Sequence, residues 1–156
     1  MTPMGMGVRA VELRELLAIA VKVRPIVDLG GGRRYVPFDG GTFEGRDGLD
    51  GVVLDGGVDW QVERPDGVLE IDAHYALRTV EGEAIEVRST GLRKASPDVV
   101  ARIARGDDVA PDEYYFRTHI RLATGAPRLA RLNDLIAVST GRRERDVVHI
   151  DVHEVR

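Results

Sequence analysis

The 156-residue sequence contains no cysteine. That excludes disulfides, thiolate catalysis and cysteine-ligated zinc, and it fits a reducing compartment. Serine is scarce. Ser89, Ser96 and Ser139 are the only serines, and none lies in the Gly-x-Ser-x-Gly elbow that exposes a hydrolase nucleophile. Positive charge is not in excess: the net charge is −4, and the arginines are interleaved with acids. The chain therefore lacks the broad positive field of a non-specific nucleic-acid binder. Long apolar runs are missing too. The longest, LLAIAV at 16–21, falls far short of the roughly 20 residues that cross a bilayer. The start, MTPMGMGVRAVELRE, has no basic segment leading into an apolar core, so no secretory signal is read there. Together these absences lead to the expectation of a cytoplasmic protein with no nucleic-acid or membrane partner.

Glycine is what the chain has in quantity. GGTFEGRDGLDGVVLDGGVDWQ, residues 40–61, concentrates glycines and aspartates. A phosphate-cradling loop needs Gly-Lys-Ser/Thr, or a strand–glycine–helix unit whose helix N-terminus faces the anion. Neither surrounds this stretch. The glycines read better as turns and close crossings between short strands. The rest of the chain agrees. In VLEIDAHYALRT, Leu69, Ile71, Ala73, Tyr75 and Leu77 share one face by period two, and Glu70, Asp72, His74 and Arg78 share the other. Asp66–Gly67 and Glu81–Gly82 flank this segment as hairpin turns. Residues 112–124 alternate again, with Tyr114, Phe116, Thr118, Ile120 and Leu122 against Tyr115, Arg117, His119 and Arg121.

DLGGGRRYVPF (28–38) reads as a loop and a short strand. Further breaks are expected at Gly40–Gly41 and Gly56–Gly57. Residues 132–155 read as two strands around a turn at Gly141. One short helix is expected over about Pro97–Arg105, capped by Ser96 and closed by Gly106. Residues 9–23 are ambiguous between helix and strand, with a lean to strand from about Leu16. The sum is eight or nine short strands and one helix. That is mostly all-β and antiparallel, a sandwich or a barrel rather than a βαβ fold. The length fits one domain.

The inner strands carry the candidate chemistry. Asp59 and Gln61 alternate with Trp60; Asp72, His74 and Arg78 share a face, as do Tyr115, Arg117 and His119. If these strands are neighbours, the groups converge on a cavity. Asp59 and Asp72 are then acid–base candidates, Tyr115 a proton donor and Arg117 a ligand for an anionic or carbonyl oxygen. The competing reading makes them wet exteriors of amphipathic strands, since charged residues are mostly exposed. Trp60 reads as core more than as a ligand platform. His149, Asp151 and His153 share a face of the last strand. Two imidazoles and a carboxylate could ligate a divalent metal, but without a further ligand the solvated face of a terminal strand is the preferred reading. No metal or cofactor is expected.

GGTFEG, GVVLDGGVDWQ, DGVLEIDAHYALRTVEGEAIEV, YYFRT and RLARLND, in that order, resemble the small proteins of the uncharacterised DUF3237 (UPF0311) family. The likeness runs from about Leu16 to Val155. It implies a single-domain antiparallel β-barrel over 16–156, preceded by a ragged N-terminus at 1–15, and a strand at the ambiguous start. By motif it marks Gly41, Thr42, Phe43 and Gly45; Gly56, Gly57, Asp59, Trp60 and Gln61; Asp72, Tyr75 and Arg78; Tyr115, Phe116 and Arg117; and Leu132 and Asn133. The chain departs from the family pattern at His74 and Arg131.

The leading functional expectation is a cofactor-free small-molecule enzyme of lyase, isomerase or cyclase type. Asp59, Asp72, Tyr115 and Arg117 would be catalytic; Trp60, Gln61, His74, Tyr75, Arg78, His119 and Asn133 would bind the ligand. The alternatives are a non-catalytic metabolite-binding barrel and a filled structural or oligomerisation module. A cavity above about 300 Å³, the low end for ligand sites, lined by Asp59, Asp72 and Arg117, would support the first two; a filled barrel with those residues in bulk water would sink both. Edge strands in an incompletely closed barrel favour self-association, so a homodimer is the expected assembly.

Overall fold

The computed structural model describes residues 9–156; of the N-terminus expected to be ragged over 1–15, residues 1–8 lie outside them and Leu13–Glu15 belong to the first strand. Ten strands form one antiparallel sheet: β1 Leu13–Val23, β2 Val27–Gly30, β3 Arg33–Gly45, β4 Gly51–Val53, β5 Val58–Glu63, β6 Leu69–Thr79, β7 Ala84–Lys94, β8 Tyr115–Ala123, β9 Ile136–Glu144 and β10 Val147–Val155. The order runs β1-β10-β9-β8-β7-β6-β4-β3-β2, and β5 bridges β3 and β6 beyond the end of β4. Pairing of β1 with β3 closes the wall. Eight staves therefore make a barrel, with β4 and β5 sharing one of them and β2 lying outside the ring. Closure removes the exposed edges that an open sheet would present.

Several boundaries differ from the sequence reading, each for a backbone reason. β1 starts at Leu13 because its first residues pair with the end of β10. The segment read as a loop at 28–32 is a hairpin, with β2 paired to the start of β3. Gly40–Gly41 does not break a strand. It bends β3, which pairs with β5 before the bend and with β4 after it. Gly41 takes φ +138°, and a Cβ there would lie 2.0 Å from the Ala20 carbonyl oxygen. Only glycine supplies both the conformation and the approach. Gly141 is likewise inside β9, with the Phe116 ring against it. The turn falls at Arg145–Asp146 instead, where Arg145 takes a positive φ.

The helix α1, Pro97–Ala104, matches its signals. Ser96 Oγ accepts from the Val99 amide and proline occupies the first turn. Val99 and Ile103 are its buried side chains. Three 3₁₀ segments, at 46–48, 111–113 and 127–134, complete the connections.

The core lies inside the barrel. Leu77, Ile85, Val87, Ile120 and Ala137 have no exposed surface. Period two places Leu69, Ile71, Ala73, Tyr75 and Leu77 of β6 inside, as their spacing predicts. One end is filled by such apolar side chains, with Leu129 and Leu132 of the 127–134 segment buried in the same cluster. The other end is different, and the candidate site lies there.

Candidate functional site

A cavity of about 50 Å³ opens among the C-terminal ends of β1, β5, β7 and β9 and the N-terminal ends of β3, β6, β8 and β10. Its walls include Val21, Val36, Leu69, Ile71 and Val148. Its polar lining comprises Asp59, Gln61, Tyr75, Ser89, Thr118, Arg93 and Arg143. The volume falls short of the roughly 300 Å³ expected of a ligand site, and of Asp59, Asp72 and Arg117 only Asp59 lines it.

Asp59 and Gln61 point inward from β5 because Trp60, between them, points out. Arg34, facing Gln61 across the β3–β5 ladder, donates through Nε to Gln61 Oε1 at 2.8 Å. Gln61 Nε2 donates to Asp59 Oδ2 at 2.7 Å. The Asp72 backbone amide donates to Asp59 Oδ1 at 3.1 Å. The relay fixes the Asp59 carboxylate in place. Burial pushes its pKa up to about 6, against the opposing pull of these donors. Tyr75 stands on the neighbouring strand, its ring edge-on to Phe38 with centroids 5.1 Å apart. Gly57 leaves room for it: a Cβ there would come within 2.5 Å of Tyr75 Cβ. Burial, and then the Asp59 charge, raise the Tyr75 phenol, so it stays protonated and can only donate or accept as a neutral group.

Two arginines complete the lining. Arg93 is half-buried, and desolvation together with Arg34 and Arg143 lowers its pKa to about 10, which leaves it charged at neutral pH. Arg143 is lowered in the same direction, first by burial and then by Arg34. Its backbone amide donates to Tyr114 Oη at 2.9 Å, which ties β9 to the start of β8. Further in, Ser89 Oγ donates to Thr118 Oγ1 at 2.9 Å, and Thr118 bonds Ser139 in turn. This hydroxyl ladder crosses three strands. Among the described residues no buried side-chain nitrogen or oxygen lacks a partner, and no cluster of ligating side chains is arranged to hold a metal ion.

Of the residues singled out by sequence, Asp59, Gln61 and Tyr75 meet in the cavity. The others do not. Asp72, His74 and Arg78 lie on the outer face of β6; Tyr115, Arg117 and His119 lie on the outer face of β8. Asp72 pairs with Arg88, and His74 with Glu86, both in solvent. Arg117 folds back over the Tyr115 ring, 5.3 Å from its centroid. Trp60 is not core: it is 53% exposed and packs on Tyr35 outside the barrel. Asn133 bonds both backbone groups of Thr124, pinning the segment after β8. Sequence reading missed Arg34, Arg93 and Arg143. The signal existed. Ile85, Val87, Ser89, Gly91 and Arg93 are one period-two series, and so are Ala137, Ser139, Gly141 and Arg143. Reading a turn at Gly141 cut the second series short of Arg143.

The comparisons with known proteins agree with this architecture. The family described as "Protein of unknown function (DUF3237)" matches residues 11–155. A UPF0311 protein of Rhodopseudomonas palustris is 34% identical over 148 residues, 92% of this chain and 96% of that one. Its crystal structure, of a conserved protein of unknown function, superposes with a TM-score of 0.90 over 100% of both chains. A structure described as a beta-barrel like protein, from Acinetobacter baumannii, shares 32% identity with a TM-score of 0.81, covering 95% of this chain and 98% of that one. A protein described as an enzyme from Penicillium herquei shares the fold at 19% identity, with a TM-score of 0.72 over 98% and 100% of the two chains. The barrel, its closing β1–β3 pairing and the motifs that frame Asp59 thus have one explanation: the chain belongs to the DUF3237 (UPF0311) family.

Proposed function

We propose that the protein is a small-molecule enzyme of lyase, isomerase or cyclase type, working by proton transfer at the open end of the barrel without a cofactor. Asp59 carries the reading. It is a buried carboxylate with a pKa raised to about 6, held at both oxygens and facing a cavity. A base poised near the working pH is what proton abstraction needs. Tyr75, kept protonated, is the hydrogen-bond donor to the developing oxyanion, and Arg93 and Arg143 stabilise its charge. In this reading the arginines take the roles expected of Arg117, and Tyr75 that expected of Tyr115. The fold of a Penicillium herquei enzyme is the same, so the scaffold is one that can carry catalysis, although fold does not fix an activity.

The same lining supports a second reading, a binding barrel that orients a metabolite without turning it over. One experiment separates the two. Small carbonyl compounds are incubated with the protein in D₂O and followed by NMR and mass spectrometry. Turnover predicts solvent deuterium in a product or in recovered substrate, and a loss of about 100-fold or more in Asp59→Asn. Saturable binding with no exchange and no product supports the binding barrel. Exchange that persists undiminished in Asp59→Asn removes Asp59 from the chemistry.

A further inference from the structure

We propose that the open end of the barrel binds small organic carboxylates, with the Arg93 guanidinium as the seat of the anion. The inference names a ligand class for the cavity of the proposed enzyme and rests on that cavity being the site. Its first support is a difference among three arginines. Arg34 is engaged by Gln61 and lies 3.6 Å from Glu63. Arg143 donates through Nε to the Arg145 carbonyl at 2.8 Å. Arg93 lines the cavity and has no hydrogen-bond or ion-pair partner among the described residues. Arg93 is half-buried; its charge is partly desolvated, and Arg34 and Arg143 repel it more strongly than Tyr114 and Glu63 attract it. An anion from solution relieves both effects.

The walls then choose the kind of anion. The cavity that Arg93 lines is also lined by Val23, Val36, Leu69 and Ile71, with Leu69 directly across from Arg93 in the β6–β7 ladder. A bare phosphate has no apolar part to lay against them and sheds a larger hydration shell. A carboxylate sets two oxygens on one guanidinium fork and leaves a short stem for the apolar wall. Size bounds the stem. About 50 Å³ is less than two water molecules' share of the liquid, about 30 Å³ each, so only the first few atoms enter. With the head on Arg93, the stem runs toward Asp59 and Tyr75, which line the same space.

The test is an NMR titration of the full chain with propionate, pyruvate, propionamide and inorganic phosphate, read at the arginine Nε–H resonances. Propionate and pyruvate should shift the Arg93 signal saturably, while propionamide, its neutral isostere, binds at least about tenfold more weakly. Arg93→Gln should weaken propionate by about tenfold or more, and Arg33→Gln, on the outer surface, should not. Circular dichroism checks that each variant folds, and the wild-type contrast of propionate with propionamide needs no variant. The proposal is overturned if neither carboxylate gives a saturable shift at tens of millimolar, if propionamide binds as well as propionate, or if phosphate binds and the carboxylates do not. Carboxylate binding without turnover leaves this inference standing and removes the enzyme. Turnover of a neutral compound alone does the reverse.

Discussion

Asp59 and Asp72 are close enough to share a hydrogen bond, the Asp72 amide donating to the Asp59 carboxylate, yet their side chains face opposite sides of the wall. Asp59 points into the barrel, where burial raises its pKa. Asp72 points out, 46% exposed, and holds Arg88. The two carboxylates have the same chemistry. Strand parity alone separates a candidate base from a surface ion pair. The same division runs along every stave: Tyr75 is inside and His74 outside, Thr118 is inside and Arg117 outside. Polar residues on the outer face are numerous and interchangeable. Those on the inner face are few, and most of them, Asp59, Gln61, Tyr75, Arg93 and Arg143 among them, gather at one end.

The largest effect that can break this comparison is on stability. Leu77 has no exposed surface and sits at the closed end, next to the exposed Arg78. Leu77→Ala should cost about 2–5 kcal/mol through lost burial and the cavity left behind. Arg78→Ala should change stability by no more than about 0.5 kcal/mol. Urea unfolding of both variants measures the contrast. Similar losses in the two would mean that the faces do not differ as described.

The next effect is smaller and depends on pH. A carboxylate whose folded pKa lies above its unfolded value takes up protons on folding in the interval between them, so stability falls as pH rises through that interval. For Asp59 the interval runs from 3.8 to about 6. Below it the side chain is protonated in both states and costs nothing as a charge. Above it the full penalty of a buried carboxylate is present, on the order of 3 kcal/mol for a shift of this size. Asp59→Asn should therefore flatten the fall in unfolding free energy between about pH 4 and pH 7, and a ¹³C carboxyl titration of the wild type should show a midpoint near 6. An unchanged pH profile in Asp59→Asn would show that the site is wetter than its geometry implies. The variant also upsets the relay, because an amide at 59 has one acceptor oxygen and cannot take the Gln61 donor and the Asp72 amide at the two carboxylate positions.

Much of the fold was legible because period-two patterning is strong wherever a strand separates core from water. The β6 and β8 faces, the Ser96 cap and the hairpin turns at Gly67 and Gly82 all follow from it. The glycines were harder. A glycine in a strand signals either a turn or a close approach, and sequence alone does not say which. Gly41 and Gly141 were close approaches, to the Ala20 carbonyl and the Phe116 ring. Reading Gly141 as a turn hid Arg143. For the site, Asp59 and Gln61 were found by their alternation with Trp60 and Tyr75 through the family motifs, while the polar face of β6 misled. Polar residues on an amphipathic strand normally face water, and the informative polar residues are those in phase with the apolar ones. Ser89, Arg93, Thr118 and Arg143 satisfy that condition; Asp72, His74 and Arg117 do not.

The smallest effect sharpens the outer half of the comparison. Asp72 accepts from Arg88 Nε at 2.9 Å and from Nη2 at 3.2 Å. The geometry is two-pronged, but both side chains are about half exposed, so water competes for each partner and salt screens the pair. Asp72→Asn should cost less than about 1 kcal/mol, and a double-mutant cycle with Arg88→Gln should give a coupling in the same range that shrinks as salt is raised. The backbone amide that holds Asp59 is untouched by the substitution, so the Asp59 carboxyl titration should keep its midpoint. A loss well above 1 kcal/mol, or a moved Asp59 titration, would mean that the outer face helps set the inner one. Parity would then no longer separate the two aspartates.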